Sequence, residues 1–202
     1  MGSDSVGGIL LAGGRSRRMG SDKALLDWHG RPLVLHVAEL LRDAVAGPVV
    51  VVTAPAQELP TLPAGVERAV DLVAGQGPLE GIRTGLEALA GRVELALVWS
   101  VDAPNPRPEV CRLLVAALGE ADAAVPFFAG VVHPLSAVYR VSLLPLVTRL
   151  LASGERRARA VAEACTAVLV DEPTLRTADP ELRFLIDLDT PEELAAALVL
   201  ES

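Results

Sequence analysis

Cysteine is scarce in this chain: two, Cys111 and Cys165, among 202 residues. That excludes a fold built on disulfides. Each lies in apolar, helix-like surroundings, so the two read as reduced core residues and not as a disulfide or a metal pair. Long uncharged runs are missing as well. The chain is 51% hydrophobic, yet no stretch reaches the ~20 apolar residues that span a bilayer. The opening residues lack the basic, apolar, small-residue layout of a secretory signal, so the expected location is the cytoplasm. An excess of basic residues is absent too. Against 26 Asp and Glu stand 18 Lys and Arg, a net charge of −8, which argues against nucleic acid as a bulk partner. Internal repeats, low-complexity tracts and a clear linker are also lacking. The length suits one domain, residues 1–202, with a sizeable core.

Against this acidic background one basic cluster stands out: Leu10-Leu11-Ala12-Gly13-Gly14-Arg15-Ser16-Arg17-Arg18-Met19-Gly20-Ser21-Asp22-Lys23. The run Val6–Leu11 reads as a buried strand feeding it. Glycine lets the backbone turn sharply and approach a ligand, and N–H groups in such loops form concave anion sites. Arg15, Arg17, Arg18 and Lys23 add positive charge. The combination points to a bound polyphosphate. No Gly-Lys-Ser/Thr follows at Walker A spacing. Gly13-Gly14 followed by Gly20 does not fit G-x-G-x-x-G, and the strand near Val49–Thr53 lacks the acidic residue that would hold a ribose. An NAD(P)-dependent dehydrogenase is set aside on those grounds.

Strand-like and helix-like segments alternate along the rest of the chain. Strands are expected at Val49–Val52, Arg68–Val73, Leu95–Ser100, Ala123–Phe127, Ala137–Arg140, Ala167–Val170 and Phe184–Asp187. Helices are expected from Pro32 to Val45, and over Pro78–Leu89, Pro108–Leu118, Val141–Leu151, Arg157–Ala164 and Leu194–Leu200. The last is opened by a capping box, Thr190-Pro191-Glu192-Glu193. This order predicts an α/β three-layer sandwich with a mostly parallel sheet. Ligands sit beyond the carboxyl ends of the strands in such sheets, which gathers the loops after Leu11, Val52, Asp71, Ser100 and Ile186 along one edge. The segment Ala54–Gly65 reads as a surface loop.

Those loops carry the remaining unusual residues. Asp71 precedes Gly75, Gly77, Pro78, Leu79 and Gly81 around a helix start, where backbone amides can face a ligand. Asp102, just past a hydrophobic strand and followed by Ala103-Pro104, is well placed to ligate Mg²⁺, which takes oxygen ligands from one or two carboxylates plus substrate phosphates. Asp187-Leu188-Asp189-Thr190-Pro191 can join a metal or cap the final helix. His133 and the run Gly154-Glu155-Arg156-Arg157, with Arg159 beyond it, admit either an anion-binding or a structural role. His29, His36, Trp28 and Trp99 read as structural.

The order L-A-G-G-x-x-x-R-M-G-x-D-K resembles the nucleotide loop of the GT-A-like nucleotidyltransferases. Within that superfamily it is most similar to the molybdenum cofactor guanylyltransferases, the MobA-like proteins. The resemblance extends from Val6 to Leu198 through the G-P-L-x-G-I run at Gly77, the Asp-x-Pro at Asp102, His133-Pro134 and Gly154-Glu155-Arg156. It implies the Rossmann-like nucleotide-diphospho-sugar transferase (GT-A) fold. The implied reaction transfers GMP from GTP to the phosphate of molybdopterin, releasing pyrophosphate, with Mg²⁺ as cofactor and with proteins that deliver or receive the molybdenum cofactor as possible partners. Leu11, Ala12, Gly13 and Gly14 would make backbone contacts to the nucleotide. Arg18 and Lys23 would neutralise the β- and γ-phosphates. Asp71, with Gly77, Pro78 and Leu79 shaping the pocket, would meet the guanine region. Asp102, joined by Asp189, would hold Mg²⁺, and His133, Arg156, Arg157 and Asp187 would face the acceptor. The chain departs from the family pattern at Thr53, where Asn is common, and at Asp187 and Asp189, both usually Asn. Those departures keep open a cytidylyltransferase of the same cofactor, another small-molecule nucleotidyltransferase, and a nucleotide-binding accessory protein without activity.

Overall fold

The computed structural model describes residues 5–13, 22–73 and 75–200. In chain order the elements are β1 (Val6–Leu11), β2 (Asp27–Trp28), β3 (Arg31–Pro32), α1 (Leu33–Ala44), β4 (Val49–Thr53), β5 (Val66–Val70), α2 (Pro78–Leu89), β6 (Leu95–Ser100), α3 (Pro108–Leu118), β7 (Ala123–Phe128), β8 (Val131–Val132), β9 (Ser136–Arg140), α4 (Leu144–Ala152), α5 (Arg159–Ala164), β10 (Ala167–Val170), α6 (Glu172–Leu175) and α7 (Pro191–Leu200). The main sheet runs β10-β7-β9-β6-β1-β4-β5, with β8 hydrogen-bonded to β7. β1 lies parallel to β4 on one side and to β6 on the other. The crevice where ligands bind in such sheets therefore opens beyond Leu11, Thr53 and Ser100.

The central strands are near-continuous apolar runs, as burial on both faces requires. Their side chains alternate between two cores. Leu10, Val49, Val51, Leu95, Leu97 and Trp99 pack toward α1 and α3. Ile9, Val50, Val52, Ala96 and Val98 pack toward α2, α4 and α5. Helix α2 lies unusually close to β1. A Cβ at Gly85 would stand 2.4 Å from Ile9 Cγ2, and one at Gly81 would stand 2.9 Å from Leu11 Cδ2. This close crossing sets the height at which α2 begins over the end of β1. No helix among the described residues is long and apolar enough to cross a membrane.

The mostly parallel sheet matches expectation, but two strands run against it, the two-residue β8 beside β7 and the longer β9. β9 inserts antiparallel between β6 and β7. Other boundaries shift for local reasons. Pro32 belongs to a two-residue strand, and the helix starts at Leu33. The β2–β3 hairpin turns on His29 and Gly30, both with positive φ, the requirement of a tight two-residue hairpin. The helix expected over Val141–Leu151 is divided into a 3₁₀ turn, Val141–Leu143, and α4. Pro145 cannot donate to the carbonyl four residues back and its ring collides with it. The strand expected over Phe184–Asp187 does not form. Leu182 takes a left-handed conformation and opens a 3₁₀ turn at Arg183–Leu185. The Phe184 N–H donates to Asp179 Oδ2 at 2.9 Å, and its ring packs 6.2 Å from Trp99.

Candidate active site

The loop after β6 is held from three sides. Trp99, fully buried, donates its indole N–H to Ala103 O at 2.8 Å. The Val101 N–H donates to Leu11 O at 3.0 Å, tying this loop to the end of β1. The Leu188 N–H donates to Asp102 O at 2.8 Å. That last bond ties the segment carrying Asp187 and Asp189 to the Asp102 backbone. The predicted capping box is formed. Glu193 Oε2 accepts from the Asp189 and Thr190 N–H groups, both at 2.8 Å, and Thr190 Oγ1 accepts from the Glu193 N–H at 3.2 Å. Asp189 is thereby left out of the cap, and its carboxylate is free to point elsewhere.

It points at Lys23. The ammonium donates to Asp102 Oδ2 at 2.9 Å and to Asp189 Oδ1 at 2.6 Å. Lys23 is the only lysine in the chain, a signal in the sequence that the fourteen-residue loop motif concealed. Burial works against its charge, but the bonds to Asp189 and Asp102 outweigh that and raise its pKa above the usual lysine value. Asp187 is open to solvent on one side. Protein packed around its carboxyl, together with the charges of Asp102 and Asp189, pushes it up to about 6. Among the described residues no group of three or more His, Cys, Asp or Glu side chains forms a metal site by itself.

Beside these acids lies a cleft of about 620 Å³. Ser100, Asp102 and Asp187 form one wall, His133–Ser136 another, and Gly77, Pro78 and the segment Arg156–Arg159 a third. Two expected loops meet here. The Leu79 N–H donates to Arg156 O at 3.3 Å, and Gly77, with φ +76°, has no room for a side chain because a Cβ would stand 2.8 Å from that same oxygen. The start of α2 and the loop before α5 are thus one surface. Arg156 donates its Nη1 to Leu151 O at 3.0 Å and Glu155 O at 2.6 Å, while Arg157 pairs with Glu155 at 2.7 Å. Both arginines line the cleft but hold internal partners. His133 Nε2 is buried without a hydrogen-bond partner among the described residues, and burial lowers the pKa of the ring, so the imidazole is neutral near pH 7. Asp71 is half-buried. Burial raises its pKa, and Thr84 Oγ1 donates to its Oδ1 at 2.8 Å. Leu79 is fully buried in the core with Ile9 and Val52 and is not among the residues that line the cleft.

Three expected contacts change in the folded chain. Thr53 has no exposed surface, and its hydroxyl donates to Ala69 O at 3.3 Å and accepts from Arg68 Nε at 3.1 Å. It supports β5, and its hydroxyl is engaged within the protein. The N–H groups of Ala12 and Gly13 both donate to Val52 O, at 2.9 and 3.2 Å, because the chain leaves β1 leaning on the end of β4. Neither amide is free for a phosphate, and Leu11, 7% exposed, has its carbonyl bonded to Val101. Gly13 does present exposed backbone, at a place where a Cβ would stand 3.0 Å from Ala54 N. Gly14, Arg15, Arg17 and Arg18 lie outside the described residues. One residue escaped the reading of the sequence altogether. Gln57, in the expected surface loop, reaches Ala12 O and Asp22 Oδ2. The chain holds only two glutamines and one asparagine, so a carboxamide between two strands was the available clue.

The profile of the MobA-like NTP transferase domain matches residues 8–179. The chain belongs to the MobA-like NTP transferase family. The probable molybdenum cofactor guanylyltransferase of Mycobacterium bovis is 41% identical over 169 residues, which cover 82% of this chain and 83% of that protein. Its counterpart in Mycobacterium avium is 36% identical over 197 residues, covering 96% and 95%. Among solved structures, molybdopterin-guanine dinucleotide biosynthesis protein A of Archaeoglobus fulgidus superimposes with a TM-score of 0.79 at 25% identity, over 96% of this chain and 97% of its own. The GT-A-like architecture expected of the MobA-like family is the one observed here.

Proposed function

We propose that the protein transfers GMP from GTP to the phosphate of molybdopterin, forming the guanine dinucleotide and releasing pyrophosphate. The observation that carries this reading is the convergence of Lys23 and Asp189 on Asp102, which follows the carboxyl end of β6 and lines the cleft. Such a transfer needs charge stabilisation on the α-phosphate and the leaving group, and little covalent help. An oxygen of the acceptor phosphate bonds to the α-phosphorus of GTP as the bond to the bridging oxygen breaks, and that oxygen leaves with pyrophosphate.

The acceptor phosphate is already anionic near neutral pH, so no general base is needed. The neutral, buried His133 fits a binding role on the acceptor side. Lys23 is the described cation nearest the carboxylates, and it would meet the β- and γ-phosphates once its acidic partners are otherwise engaged. Asp102 and Asp189 offer only oxygen donors, the preference of Mg²⁺, which completes its shell with water and substrate phosphate; bound there it would neutralise charge on the triphosphate. Asp71 would meet the base, positioned by Thr84. Arg156 and Arg157 would receive an anionic acceptor after exchanging internal partners for it.

Isothermal titration with GTP, CTP and ATP, each with and without Mg²⁺, tests this, followed by pyrophosphate release with the pterin acceptor. GTP selectivity that depends on Mg²⁺ is expected. CTP selectivity would move the reading to cytidylyl transfer, and absence of binding to all three would overturn it.

A further inference from the structure

Gln57 uses every hydrogen of its carboxamide. Its Nε2 donates to Ala12 O at 2.9 Å and to Asp22 Oδ2 at 2.8 Å, and its Oε1 accepts from the Ala54 N–H at 3.0 Å. Only one orientation of the amide satisfies all three partners, since a carbonyl and a carboxylate need donors and an N–H needs an acceptor. The other oxygen of Asp22 accepts from the Ala24 N–H at 3.0 Å and so caps the 3₁₀ turn Lys23–Leu25. Behind Gln57, Arg68 donates to Gln57 O at 2.5 Å and to Thr53 Oγ1 at 3.1 Å. The buried Thr53 therefore anchors the arginine that supports Gln57.

We infer that Gln57 is a positioning residue for nucleotide binding. One carboxamide joins the carbonyl at the exit of β1 to the carboxylate that caps the Lys23 turn. It thereby fixes where the only ammonium side chain of the protein stands relative to the strand ends. Hydrogen bonds run from Ala54 through Gln57 to Asp22 and from Asp22 to the Ala24 N–H, and Lys23, held between Asp22 and Ala24 in that capped turn, bonds to Asp102 and Asp189. Glutamate cannot replace glutamine here. It loses both donors and sets a second carboxylate against Asp22, a repulsion in place of a charge-assisted bond.

This inference rests on the nucleotide reading above. The test is titration of GTP with Mg²⁺ into wild type, Q57E, Q57M, D22N and the double variant D22N/Q57E, with melting temperatures taken on the same samples. Any other nucleoside triphosphate that wild type prefers replaces GTP. Loss of a hydrogen bond to a charged group predicts nucleotide affinity weakened about tenfold or more in Q57E and Q57M. D22N/Q57E reverses donor and acceptor along the bond between the two side chains, and it should recover much of the loss suffered by Q57E. Wild-type affinity in Q57E overturns the inference. So does a double variant whose loss is the sum of the two single losses, and so does a fall in melting temperature with affinity intact. Wild type that binds no nucleoside triphosphate overturns the nucleotide reading itself, and this inference with it.

Discussion

Replacing Lys23 with methionine keeps the length and the apolar stem of the side chain and removes only the ammonium. The bond to Asp102 is sheltered, with side chains 12% and 25% exposed, while Asp189 is 56% exposed. A hydrogen bond between charged groups contributes about 1.5–3 kcal/mol. The Asp189 partner, open to water and salt, is discounted to about 0.5 kcal/mol. The expected loss is therefore about 2–3 kcal/mol in the absence of a divalent cation. For a chain of this size each kcal/mol shifts the melting temperature by about 2–4 °C, so Lys23→Met should melt roughly 5–10 °C below wild type. Asp102 and Asp189 would then face each other without compensation, and a divalent cation no longer has an ammonium to displace. Added Mg²⁺ without nucleotide should stabilise the variant more than wild type. By mass action, recovery of about 2 kcal/mol corresponds to a concentration near 30 times the dissociation constant. Differential scanning calorimetry with and without 10 mM Mg²⁺ (about that concentration, chosen to exceed weak affinities) reads both effects. A variant that melts with wild type, or Mg²⁺ that stabilises wild type as much as the variant, would refute the picture of Lys23 as the cation holding these carboxylates.

Gly85→Ala should lower stability by about 1–2 kcal/mol despite the ~1 kcal/mol that alanine gains over glycine in a helix. The new methyl group meets the fully buried Ile9 at 2.4 Å, and a melting temperature above wild type would show that α2 can move off β1. Arg83→Met should cost about 3 kcal/mol in a urea titration, because Glu80, with a side chain only 9% exposed, would lose its partner at 2.9 Å. The double variant Glu80→Leu with Arg83→Met should recover most of that loss, and failure to recover would assign the cost to packing instead. Burial pushes Cys111 and Cys165 up to about 11, so only about one thiol in a thousand is thiolate at pH 8. Mass spectrometry should find both unmodified by iodoacetamide in the native protein and both modified in urea. Rapid native labelling of Cys165 would contradict this.

The layer architecture was legible because apolar runs of strand length and helical stripes alternate along the chain. Strand direction was less so. Nothing in Ser136–Arg140 distinguishes an antiparallel strand from a parallel one, since both bury the same apolar pattern, and β9 turned out to run against its neighbours. The missing strand near Phe184 has a similar origin. Phe184 does enter the core, but against Trp99 and through a bond to Asp179, and among the described residues no strand pairs with this segment.

The chemistry of the site divides in the same way. Lys23, Asp71, Asp102 and Asp189 stand at loops whose residue types and spacings follow buried strands or precede a capped helix, and such local patterns are complete within a dozen residues of sequence. Pairing between loops is not. Lys23 meets Asp102 and Asp189 across separations of 79 and 166 residues, and Gln57 meets Ala12 and Asp22 across 45 and 35. Thr53 looked available and is fully buried, while Gln57 looked like part of a surface loop and is the clamp beside it. By itself the sequence determined which side chains reach the sheet edge, because local periodicity places them there. Which of them touch was decided only in three dimensions, by the order in which the strands assemble and by the close crossing of α2 over β1.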